Sequence, residues 1–302
     1  MHVRIIAALL LAGGYALAGA DDKVAWSAAE VPTVRGKALW ARMIDQAERL
    51  TLPTRFIRAI PPDFLSVEFS DLRTFAAEYH VEEHRMILDR SLSFNAAGGT
   101  LRPMSGMTHR EIGTLYHELF HAYMDYIVSI SDGVPAESEA RLLAFARQVQ
   151  QCRYLSVEIT PLRQKKTVTE SRLLSERESW EALNETWAVF VGWRVWTKLD
   201  ESQKRRKGKN TGRNAAHGQI ADALKLADQA GDLVGYYEPE DPQERAITHK
   251  RYLASANRIS ADEVAMLLEI VFETSPQEAM KLVSVMSEQR SHAQPQESCR
   301  TN

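Results

Sequence analysis

The stretch Thr108-His109-Arg110-Glu111-Ile112-Gly113-Thr114-Leu115-Tyr116-His117-Glu118-Leu119-Phe120-His121 decides how this chain is read. Its opening, Thr108-x-x-Glu111, is a capping box, in which each side chain satisfies a backbone amide that the first helical turn leaves unpaired. Ile112, Leu115, Leu119, Tyr123, Tyr126 and Ile130 follow at helical spacing and form the expected buried stripe. Within this helix, residues 117–121 spell HExxH. Histidines four apart lie on one helix face, so His117 and His121 can converge on a single tetrahedral ion. Glu118 sits about a quarter turn away, where it can take a proton from water beside such an ion without being a ligand. Gly113, one turn before His117, leaves room for a partner element or substrate to approach.

A second pair of histidines competes for the metal. His80-Val81-Glu82-Glu83-His84 is the inverted motif HxxEH. It needs helix on both sides, but His84 runs straight into a β-like segment, and Val81 is its only apolar interior residue. Residues 80–84 therefore read as a polar turn entering a strand.

Two histidines hold zinc poorly alone, so a catalytic centre needs a third protein ligand. Residues 176–199 read as a long helix started by the capping box Ser175-x-x-Glu178, and Glu185 stands in it among Ala182, Ala188, Val189 and Gly192. A carboxylate on so compact a face must be paired or metal-bound. The candidates are Glu185 as ligand, Glu181 one turn earlier as the substitute, or a Glu185 satisfied by Arg172, Arg177 or Arg194. Glu178 reads as a cap.

Outside these helices the pattern is mixed. Residues 36–52 read as a helix ended by Pro53. Short β-rich runs follow at 54–60 and 64–69, then a short helix from Asp71 through Tyr79, then a strand at 85–94 centred on Met86-Ile87-Leu88. Everything later reads as helical: 136–154, 176–199, 214–230 stopped by Gly231, and three helices opened by Asp241-Pro242, Ser260-x-x-Glu263 and Ser275-Pro276. Residues 159–168 read as an irregular connection and 204–213 as a basic solvated loop. The expected fold class is α+β, mainly α. A catalytic domain would span 21–200, a basic loop 201–213, a helical subdomain 214–286 and a polar tail 287–302.

Residues 1–20 combine a basic start, a short apolar run and Ala18-Gly19-Ala20, the layout of a secretory signal peptide. Cleavage is expected after Ala20, giving an exported protein, periplasmic or secreted, with no membrane span after removal of the signal. A net charge of −3 with both signs interspersed gives no general attraction for nucleic acid or anionic lipid. Cys152 and Cys299 are the only cysteines. In an oxidising compartment they could pair, but neither belongs to a CxxC motif, which argues against a cysteine-based metal or redox site.

HExxH on one helix with a glutamate from a later helix resembles the gluzincin zinc metallopeptidases. The segment Leu183-Asn184-Glu185-Thr186-Trp187-Ala188 is similar to the Leu-Asn-Glu-x-aromatic-Ala pattern around the third ligand of the gluzincin aminopeptidases. The resemblance covers about residues 54–200, at the level of the superfamily. It implies a zincin-like fold with a small sheet whose edge strand, here 85–94, lies beside the cleft. It further implies a zinc ion on His117, His121 and Glu185, Glu118 as general base, and an oxyanion donor that related enzymes draw from a later Tyr or His. Tyr237 is the first choice for that donor, followed by Tyr236, His249 and Tyr252.

Three departures accompany it. The His121-to-Glu185 separation is longer than in the aminopeptidases and thermolysin-like enzymes. Val189 stands where thermolysin-like enzymes place an aspartate. No Gly-x-Met-Glu-Asn segment for a substrate's free amine is present, which favours an endopeptidase acting on peptide or protein substrates over an aminopeptidase. The rival expectation is a catalytically idle, zincin-shaped protein that binds peptides or serves as a scaffold.

Overall fold

A computed structural model describes residues 33–72, 76–94, 100–131, 133, 135–161, 168–206 and 213–287. Residues 1–20, the loop core 207–212, the tail from 288 and Cys299 lie outside them. The chain from Thr33 onward clusters as one unit. No helix among the described residues is long and apolar enough to cross a membrane.

Helix α1 (Thr33–Arg49) leads to α2 (Arg55–Ala59), a single helical turn where β-rich residues suggested a strand. The helix prevails because Phe56, Ile57 and Ile60 fall at i, i+1 and i+4 and are all buried, with Phe56 edge-on to Tyr116 and Tyr123. Strands β1 (Ser66–Ser70), β2 (Ala77–His80) and β3 (Arg85–Asp89) form a sheet in the order β1-β3-β2. β1 is parallel to β3 and β2 antiparallel.

This sheet overturns two expectations. Ala77–His80 is a strand rather than the end of a helix, held by pairing with β3 and by the Tyr79 hydroxyl, which donates to Asp125 at 2.6 Å; residues 73–75 lie outside the described set. β3 ends at Asp89 and is the central strand, not an edge. Met86, Ile87 and Leu88 are buried in succession, so both faces of β3 are covered, whereas an edge strand with one open face would alternate. The β2–β3 connection is a 3-10 turn, Val81–Glu83, with His84 in the left-handed region at φ 45°. The inverted motif is thus a turn. His84 Nδ1 lies 2.6 Å from Asp125, and His80 faces Glu78 at 3.7 Å.

Helix α3 (His109–Ser129) opens on the expected capping box, with both of its hydrogen bonds formed. Its burial extends well beyond one stripe: Tyr116, Phe120, Met124 and Ile127 are as buried as Ile112, Leu115, Leu119 and Tyr123. Helix α4 (Glu137–Val149) continues into a π turn, Gln150–Tyr154. Two strands, β4 (Ser156–Ile159) and β5 (Glu170–Leu173), then pair antiparallel where only a connection was expected. Helix α5 (Glu176–Arg206) begins on the Ser175–Glu178 box and extends through Arg206, into the region read as a loop. Helix α6 (Arg213–Ala230) ends at Gly231, whose φ of 72° suits glycine.

The last part is not wholly helical. β6 (Tyr236–Tyr237) and β7 (Arg251–Tyr252) flank α7 (Pro242–Ile247) and pair antiparallel, Tyr236 with Tyr252 and Tyr237 with Arg251. An Ile159–Leu253 bridge ties this ribbon to β4. Helices α8 (Ala261–Ile270) and α9 (Pro276–Ser287) complete the described chain. The architecture is α+β and mainly α, with its core spread over α1, α3, α5 and α8.

Candidate metal centre

α3 and α5 cross at two glycines. A Cβ on Gly113 would lie 3.0 Å from the Gly192 carbonyl oxygen, and one on Gly192 would lie 2.8 Å from that of Gly113. Absent side chains at these positions let the backbones meet, and the next turns face each other as a result. One turn after Gly113 stands His117, one further turn on His121, and opposite them Glu185 on α5.

The three residues point their ligating atoms at one another. His117 Nε2 and His121 Nε2 are 3.0 Å apart; Glu185 Oε2 is 3.4 Å from His117 Nε2, and Oε1 is 3.3 Å from His121 Nε2. Nitrogen and oxygen ligands about 2.0–2.2 Å from a tetrahedral ion must stand about 3.3–3.5 Å from each other. The triangle has close to that size. Glu185 Oε2 is buried without a hydrogen-bond partner, a vacancy in bonding that a cation would fill. Among the described residues, His117, His121 and Glu185 form the group that could hold a metal ion.

Electrostatics bind the group together. Burial would push the Glu185 carboxyl up, but His121 and His117 hold it well below the usual carboxylate range. Burial likewise opposes charge on His121, yet Glu185, with smaller help from Glu118 and Asn184, pulls its imidazole up to about 9. Asn184 immediately precedes Glu185, and its carboxamide faces His121 from the same helix. Arg172 pairs instead with Glu244 and Glu170, and the charges that lower Glu185 are those of His121 and His117. Glu181 stays outside the group. Burial and the neighbouring acids Glu238 and Glu185 push its carboxyl up to about 7. Glu178 caps α5 as expected.

Glu118 lies beside the triangle, its Oε1 4.0 Å from His117 Nε2. Burial raises its pKa above the ordinary carboxylate value, against the pull of His117, His121 and Lys250.

The β6–β7 ribbon closes the site from another side. Gly235 is pressed onto α5, where a Cβ would lie 2.5 Å from Thr186 N; its own N–H donates to Thr186 Oγ1 at 3.2 Å. Tyr236 follows directly, beside a Gly235 on which a Cβ would lie 2.9 Å from the Glu185 backbone carbon, and burial followed by the Glu185 carboxylate pushes its phenol pKa up. Neighbouring residues on a strand point to opposite faces, so Tyr237 turns away. It is fully buried beside Arg172 and Arg251. Tyr252 is exposed, with its ring 5.7 Å from that of Tyr236, and His249 is exposed. Lys250 donates to the Tyr236 hydroxyl at 2.6 Å.

Sequence reading thus named the three residues that come together, and Glu118 beside them, ranked Tyr237 above Tyr236, and passed over Asn184 and Lys250. Gly235, a residue without a side chain just before two tyrosines, was the available sign of a close backbone contact there.

A mainly α fold carrying HExxH on one helix and a glutamate on the helix crossing it is compatible with a zincin-like centre. Comparison with protein-family models, curated proteins and solved structures returned no match.

Proposed function

We propose that this protein is a zinc-dependent hydrolase of peptide bonds. The observation that carries the reading is the His117–His121–Glu185 triangle, sized for a tetrahedral ion, with the Glu118 carboxylate at its side. A structural zinc site is usually closed by four Cys or His ligands, whereas three ligands leave a coordination position for water or substrate. A zinc ion held there would supply acidity to water and polarise a carbonyl.

The chain's own groups do the rest. Glu118, its pKa raised by burial, accepts the proton released as water adds to the carbonyl and returns it to the departing amine. Glu185 and His121 hold their positions through mutual charge. Tyr236, on the strand that Gly235 seats against Glu185 and Thr186, is the hydroxyl assigned here to donate to the developing oxyanion. An endopeptidase is favoured, and the signal-like residues 1–20 support action outside the cytoplasm.

The test is metal analysis of the purified protein, followed by hydrolysis of a mixed peptide library with and without chelator. One zinc per chain with chelator-sensitive cleavage is the expected result. Bound zinc without cleavage of any peptide would replace this reading with the idle scaffold.

A further inference from the structure

On one face of the β6–β7 ribbon, Tyr236 and Lys250 form a contact that nothing in the HExxH pattern calls for. Lys250 Nζ lies 2.6 Å from the Tyr236 hydroxyl oxygen and 3.9 Å from the centre of its ring. A lysine ammonium has three donors and no acceptor, so in this contact the phenol oxygen must accept. The phenol's one proton is then left to point elsewhere. The acid that acts most strongly on the phenol is Glu185, whose backbone carbon would lie 2.9 Å from a Cβ on the adjoining Gly235, on the side of the two histidines. The order of donation therefore runs from Lys250 to Tyr236 to the metal group.

We propose that Lys250 is a positioning residue, which by donating to the Tyr236 oxygen aims the phenol O–H into the site and makes it a stronger donor to the oxyanion. This rests on the hydrolytic reading above. A phenol whose oxygen accepts a charged hydrogen bond is polarised and donates more strongly in turn. Its proton is not transferred: it stays on the phenol, and the oxyanion gains a hydrogen bond as water adds to the carbonyl. In this role Lys250 acts through Tyr236, while its charge also draws on Glu118.

The seating of the ribbon makes such a device workable. Gly235 is fixed to α5 by backbone contact with Thr186, and β7 is fixed to β6 by pairing of Tyr252 with Tyr236. Tyr236 thus stands on paired backbone, and Lys250, the residue just before β7, has its carbonyl held by the Thr248 hydroxyl at 2.9 Å, which suits a contact that must be held within about 0.5 Å.

The experiment compares the zinc-loaded protein with Lys250→Met, Lys250→Arg, Tyr236→Phe and the Tyr236→Phe/Lys250→Met double variant. Zinc content should be the same in all. Lys250→Met should lower kcat by about 10-fold or more with little change in KM, and Lys250→Arg should restore much of it. Tyr236→Phe should lower kcat by about 10²-fold, the loss typical of an oxyanion donor. The double variant should be no worse than Tyr236→Phe alone, because Lys250 has nothing left to aim. Additive losses would overturn the proposal, as would a Lys250→Met enzyme with unchanged kcat. A second measurement is independent of turnover: the carbon-13 shift of the Tyr236 ring carbon bearing the hydroxyl, in the metal-free protein. It should move in Lys250→Met and return in Lys250→Arg; an unmoved signal overturns the positioning role. If the wild type cleaves no peptide, the hydrolytic reading fails by itself and this shift still decides the contact.

Discussion

Gly113 and Gly192 meet so closely that a methyl group on Gly192 would lie 2.8 Å from the Gly113 carbonyl oxygen and 3.4 Å from the His117 Cβ. Backbone cannot give way as a flexible side chain can, so α3 and α5 would have to separate. Gly192→Ala should destabilise the fold by about 1–3 kcal/mol, the range for overpacking. It should also weaken metal retention, because Glu185 rides on the displaced helix. Urea unfolding of the metal-free variant and a chelator titration of the loaded one check the two effects separately.

Glu118 is expected to be base and not ligand. Glu118→Gln should reduce hydrolysis by about 10²–10⁴-fold, the usual contribution of a general base, with one zinc per chain retained. Loss of zinc in this variant, measured by elemental analysis, would contradict the assignment.

Glu185→Ala should lose zinc to chelator concentrations that the wild type withstands, since two imidazoles alone make a poor site. Glu181→Ala should retain it, because Glu181 stands outside the ligand triangle. The reverse result would move the third ligand by one turn.

Glu181 also sets a pH dependence. Burial pushes its carboxyl up to about 7 in the folded protein, from an ordinary 4.5. Between those values the folded chain holds a proton that the unfolded chain has released, so stability falls as pH rises through this window. In the metal-free protein, Glu181→Gln should flatten the stability profile between pH 5 and 8 and stabilise the fold at the upper end. Urea denaturation at both pH values reads this out; an unchanged slope would mean that Glu181 does not carry it.

Legibility from sequence followed the range of the forces involved. The α3 cap, the helical spacing around His117 and the Ser175–Glu178 box are local, and the structure repeats them. Glu185 was legible because a carboxylate among small residues demands a partner. Strands were lost where pairing, not pattern, decides: β6 and β7 each span two residues, too short for alternation to show. Met86-Ile87-Leu88 carried the sign of a central strand, but resemblance to an edge-strand arrangement overrode it. The choice between Tyr236 and Tyr237 depended on Gly235 meeting Thr186, a contact between residues about fifty positions apart.

Arg251 governs more than its own ion pairs. It is buried on the face opposite Lys250, with its guanidinium on Glu244 and Glu170. A one-residue slip of either short strand would exchange its faces, trading Tyr236 for Tyr237 or Lys250 for Arg251. Two paired residues per strand are too few to forbid that by hydrogen bonding alone. Stranding the buried Arg251 guanidinium away from its carboxylates does forbid it. The ion pairs at the back of the ribbon thus act as the key that selects which tyrosine faces the metal group.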